Sequence, residues 1–180
     1  LQGWWRMGDG RLDSFNLIGD EVNPTFGAEL FTNTDLNAGI GDWVAKQSTL
    51  SHETAAPISG AGSIKAASLS NGSAGMYENI GLTGGTVYRV TGDMKLLTGG
   101  SNGEVMLLQS AGNGTGQADF YTGATGELIV GGDAVSFDVT FIAVSSKPSL
   151  QFACNQADGS FLLDNVSCKE VNGNAGVMIN

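Results

Sequence analysis

The sequence predicts an all-β sandwich, and three observations carry that expectation. The stretch DAVSFDVTFIAV alternates, with Val135, Phe137, Val139, Phe141 and Ala143 on one face and Ser136, Asp138 and Thr140 on the other. Successive side chains of a strand point to opposite sides, so this reads as a strand with one buried and one wet face. Similar signals recur about every ten residues between Gly- and Asn-rich turns, the spacing of a sandwich or barrel. No segment sustains a helical period.

Composition agrees. Of 180 residues 28 are glycine and 41% are apolar, as expected of a globular chain of short strands and tight turns. Eight basic residues against 18 acidic ones give a net charge of −10. Nucleic acids and anionic membranes select for Lys and Arg, so neither is expected as a partner. No apolar run is long enough to span a membrane, and the N-terminus has no signal-peptide pattern. A chain starting at Leu1 reads as a processed product or part of a longer polypeptide.

Taken in order, residues 1–27 read as an arm. Trp4 and Trp5 open it, and a stretch dense in Asp, Gly, Asn and Pro follows, unable to form a core alone. The sandwich is expected over 28–171, with strands near 29–33, 42–51, 62–70, 74–80, 86–97, 103–110, 117–122, 126–130, 134–144, 149–154 and 160–169. Residues 172–180 form a short tail. On the strand VYRVTGDMKLL, Tyr88, Val90, Gly92 and Met94 share one face, and Arg89, Thr91, Asp93 and Lys95 the other.

Residues 134–171 read as a hairpin: the alternating strand, a Lys147–Pro148 turn, the run Leu150, Phe152, Cys154, a polar loop, and FLLDNVSCKEV. With residues 155–160 closing that hairpin, Cys154 falls near Phe161 and Cys168 near Lys147. A disulfide needs Cα atoms within about 7 Å, so two buried thiols are expected, which suits a reducing compartment. Asp164 is the acid inside an otherwise apolar closing strand. A buried carboxylate needs a partner, either backbone donors or a calcium ion.

Glycan clefts set aromatic platforms among polar side chains. The two wet faces above carry no aromatic, which leaves Trp43, Tyr77, Phe120 and Tyr121 as candidates; packing under loops is their ordinary alternative. Catalytic signals are lacking. His52 precedes Glu53 with no second His at zinc spacing, and there is no Gly-x-Ser-x-Gly elbow or phosphate loop. The sequons at Asn71, Asn113 and Asn165 read as chance matches.

The opening LQGWWRMGDG, with its Ile-Gly-Asp and Asn-Pro-Thr sequel, resembles the connector in structural proteins of tailed bacteriophages. There it precedes a sugar-binding-like module. The stretch from Asn33 to Trp43, the Tyr88 strand, the Phe137/Phe141 strand and Phe161-Leu-Leu-Asp-Asn-Val are similar to the carbohydrate-binding modules of xylanases and cellulases. That resemblance implies a jelly roll with one structural calcium ion linking the opening and closing strands. Carried over, its ligands are Asp164 and Asn37, with Asp35 nearby; an amide stands at position 37 where the family has an acid. The resemblance implies a non-catalytic virion component (capsid decoration, head fibre or tail fibre) on the virion surface, assembled in the host cytoplasm. It would contact other virion proteins and copies of itself, with Trp4 and Trp5 as the assembly arm. The other class it implies is a glycan-binding module for host-surface adhesion or attached to a secreted polysaccharidase.

Overall fold

The computed structural model describes residues 24–69, 75–98, 105–112, 114, 118–119, 132–154 and 158–172. Their strands are β1 (Thr25–Glu29), β2 (Val44–Lys46), β3 (Ser48–Glu53), β4 (Ser63–Ser68), β5 (Gly75–Asn79), β6 (Val87–Thr98), β7 (Val105–Ser110), β8 (Ala118–Asp119), β9 (Val135–Ile142), β10 (Ser149–Cys154) and β11 (Ser160–Asn172); no helix occurs among them. Two antiparallel sheets result: β3-β4-β11-β6-β9, with β1 joining β11, and β2-β5-β10-β7-β8. This is a jelly-roll sandwich.

β11 is the spine of the first sheet. β6 pairs along one flank, while β4 takes Ser160–Leu163 and β1 takes Lys169–Asn172 on the other. Residues 25–27, expected in the arm, therefore belong to the sheet. The strand expected at 29–33 lies at 25–29 instead, because Glu29 caps its end. Its Oε1 accepts from the amides of Leu30, Phe31 and Cys168, and its Oε2 from Ser167. The single strand expected at 42–51 is two, broken at Gln47 with φ of 52°. That left-handed residue turns the chain out of one sheet into the other.

The expected C-terminal hairpin does not form. β9 pairs with β6, β10 with β5 and β7, and β11 with β4, β6 and β1. Cys154 is thus not opposite Phe161, nor Cys168 opposite Lys147; the two lie in different sheets, both buried and neither in a disulfide. Burial, with Glu29 nearby, pushes the Cys168 thiol up to about 12, so it stays protonated at neutral pH.

The faces read from alternation hold. Tyr88, Val90, Met94, Phe137, Val139 and Phe141 are core, and Ser136, Asp138 and Thr140 are exposed. Val135 is the exception, 41% exposed at the start of its strand. Gly92 is required by the packing: a Cβ there would sit 2.5 Å from the Phe137 ring. Four rings bridge the layers. Phe137 lies 5.6 Å from Phe152, Phe152 lies 5.7 Å from Trp43, and Trp43 stacks on Phe31 at 5.3 Å between centroids.

Candidate functional site

β5 runs between β2 and β10 and carries Tyr77, Glu78 and Asn79. Alternation sends Glu78 to the side of core Met76, and Tyr77 and Asn79 to the outside. The loop 30–43 brings Leu30, Thr32 and Asp42 to the same end. With Val44, Ile80 and Gly112 these residues line a groove of about 370 Å³. Thr32 Oγ1 donates to Asp42 Oδ2 at 3.1 Å. Glu78 is 5% exposed, and its carboxylate finds no hydrogen-bond partner among the described residues.

Burial, with the charge of Asp42 adding to it, pushes the Glu78 pKa from 4.5 up to about 7. Among the described residues Asp42 is the only other charged side chain lining the groove, and Tyr77 the remaining titratable one. Between these two values the folded state keeps a proton that the unfolded state has lost. Stability from this group therefore falls as pH rises from 4.5 to 7 and is flat above, by up to about 3 kcal/mol. Urea unfolding across that range is expected to show the decline, and Glu78→Gln to flatten it. An unchanged slope in the variant would place the titration elsewhere.

Beside the groove lies the outer face of the second sheet. Gln151 pairs with Tyr77 and Leu108, and Ser149 with Asn79 and Ser110. Directly opposed residues share a face, so all six point away from the core side of Leu107, Leu150 and Phe152. The Ser110 and Ser149 hydroxyls and Gln151 Oε1 are buried without a partner among the described residues. Gln109, one residue away and facing inward, is by contrast satisfied: Nε2 donates to the Lys147 carbonyl and Oε1 accepts from the Val144 amide. The turn from Ala111 to Gly114 folds over this face. A Cβ on Gly114 would lie 2.7 Å from the Tyr77 ring, and one on Gly112 would lie 3.2 Å from Asn79 Nδ2.

The residues singled out in the sequence fare differently. Trp43 is 4% exposed between Phe31 and Phe152, so it is core and not a sugar platform. Tyr77 does line the groove, half-buried under backbone. Phe120, Tyr121, Trp4, Trp5 and the strand expected at 126–130 lie outside the described residues. Asn37 and Asp164 are brought to one place, on either side of the loop 59–63.

That place does not fit a cation. Asp164, wholly buried, accepts at Oδ2 from Ser59 N at 3.0 Å, Ser59 Oγ at 3.1 Å and Ser63 Oγ at 3.0 Å, and at Oδ1 from Asn165 N at 2.8 Å. Asn37 Oδ1 accepts from Ala61 N at 2.5 Å and Gly62 N at 3.1 Å. Asp35 Oδ1 accepts from Asn37 N at 3.2 Å. Calcium needs six or more oxygens aimed at one point; here the two side chains aim theirs at the loop's own donors. Among the described residues no three His, Cys, Asp or Glu gather to hold a metal.

Sequence reasoning passed over Asp42, Glu78, Ser110, Ser149 and Gln151. The available signal for Glu78 was its phase: two residues from apolar Met76, it falls on the buried face. The polar row had no comparable signal, since its lack of partners exists only in three dimensions.

No protein-family model matches the chain, and no curated protein matches it. Solved structures do. The CBM22-1 xylan-binding domain of Paenibacillus barcinonensis Xyn10C superposes with a TM-score of 0.59 at 15% identity, covering 84% of this chain and all (100%) of that one. The second family 16 carbohydrate-binding module aligns at 0.53 and 20% identity, over 77% and 98%. The fold is that of the carbohydrate-binding modules. The enzymatically active part of bacteriophage CBA120 tailspike protein 4 shares it over 79% of this module, but only 21% of that chain, with a TM-score of 0.55 and 12% identity.

Proposed function

We propose that the module is a non-catalytic glycan-binding domain whose ligand lies along the groove and the outer face of β5 and β10. One observation carries this: the groove beside β5 sets Tyr77 among the polar side chains of Thr32, Asp42 and Asn79. Ser110, Ser149 and Gln151, on the same face, are closed to solvent, so a ligand would meet the groove's own side chains. A hydroxyl-rich ligand supplies both donors and acceptors, and the groove's apolar rim of Leu30, Val44 and Ile80 suits the carbon faces of a sugar ring.

Affinity electrophoresis against xylan, mannan, galactan, β-glucan and chitin tests it. Retention by at least one polymer is expected, falling about tenfold or more in Tyr77→Ala and Asn79→Ala. Lys95→Ala, on the outer face of the other sheet, should leave it unchanged. Asn79 is exposed at the end of β5, so Asn79→Ala should fold normally. Absence of retention by every polymer rejects the reading.

A second reading concerns where the module works. The phage-like connector at residues 1–27 and the tailspike match favour display on a virion surface, among other virion proteins and further copies of this chain. Immunogold labelling of particles with an antibody to residues 28–171 would show regular decoration. Unlabelled particles, with antigen in the secreted fraction, would reject this placement while leaving glycan binding intact.

A further inference from the structure

We infer that the groove takes a glycan bearing a free amino group, a deacetylated hexosamine, with Asp42 and Glu78 as the anionic side of the contact. This rests on the glycan-binding reading above and names its ligand class. The geometry is unusual for a groove meant only for neutral sugars. Two carboxylates face the same hollow, and among the described residues no cationic side chain lines it and Glu78, nine-tenths buried, has no hydrogen-bond partner. Lys46 lies on the adjoining face, its stem against Gly114, and is not part of the lining.

A carboxylate held out of water must be paired or protonated. A sugar hydroxyl can give it one hydrogen bond but leaves both negative charges in place. An ammonium gives three donors and a compact positive charge that two carboxylates can share, in surroundings where attraction is less screened than in bulk water. Burial, with the charge of Asp42 adding to it, raises the Glu78 pKa, and a bound ammonium would offset both. Uronate-bearing glycans meet the opposite situation, the charge of Asp42 beside Glu78 on a chain of net charge −10.

Calorimetry on the full chain at low salt and about pH 6.5, where a sugar amine keeps much of its charge, tests this with three hexasaccharides: glucosamine, N-acetylglucosamine and galacturonate. The glucosamine hexamer is expected to bind about tenfold tighter than its acetylated counterpart, and galacturonate not to bind. Glu78→Gln should bring the two amino-sugar affinities within about twofold while sparing the acetylated one, and 0.5 M salt should shrink the preference in the wild type. Equal affinities, or a preference that survives Glu78→Gln, overturn the inference. If neither hexamer binds but another neutral glycan does in an Asn79-dependent manner, the amino-sugar assignment fails and glycan binding stands; if nothing binds, both fail. Glu78-dependent heat on titrating calcium chloride, with none from the hexamers, reassigns the pair to a metal ion and equally overturns it.

Discussion

Trp43→Ala is expected to cost about 3–5 kcal/mol of stability, read as a lowered urea midpoint at unchanged slope. The ring joins three parts of the molecule that are distant in sequence. It stacks on Phe31 from the loop after β1, meets Phe152 of β10, and through Phe152 reaches Phe137 of β9 in the opposite sheet. Truncation removes the transfer free energy of an indole and leaves a void between two sheets that cannot close over it. Trp43→Phe keeps most of the volume and should cost under about 1.5 kcal/mol. Retained stability together with lost glycan retention in Trp43→Ala would reverse the assignment and make the ring a sugar platform.

What was legible in the sequence is what period two encodes. The Tyr88 and Phe137 strands have their buried and wet faces where alternation puts them, because each has one face on the core and one in water. Partnership was not legible. β9, β10 and β11 follow one another in sequence with short connections, the pattern of a hairpin, yet the chain crosses between sheets at each step. Alternation says which way a side chain points and nothing about which strand lies alongside. The same limit hid the candidate site. Gln151 reads as a polar interruption of a buried strand, and only the pairing with Ser110's and Tyr77's strands turns it into part of a row. The convergence of Asn37 and Asp164 was legible only through the resemblance to the carbohydrate-binding modules; what they hold was not.

What they hold is the loop 59–63, and Asp164→Ala is expected to cost about 3–5 kcal/mol by releasing it. The substitution removes a wholly buried acceptor from the amides of Ser59 and Asn165 and the hydroxyls of Ser59 and Ser63. Asn37→Ala, which frees two amides nearer the surface, should cost about 1–2 kcal/mol. Both side chains restrain one loop, so the double variant should lose less than the sum of the two. The clamp also makes a statement about calcium. Any ion that binds the folded chain alone must raise the melting temperature as its concentration rises. With Asp164 and Asn37 already committed to internal donors, millimolar calcium chloride and excess chelator are expected to leave the wild-type Tm within about 1 °C of each other. A calcium-dependent rise of several degrees, absent in Asp164→Ala, would mean that the loop opens to admit an ion and that the metal, not the hydrogen bonds, ties the first strand to the last.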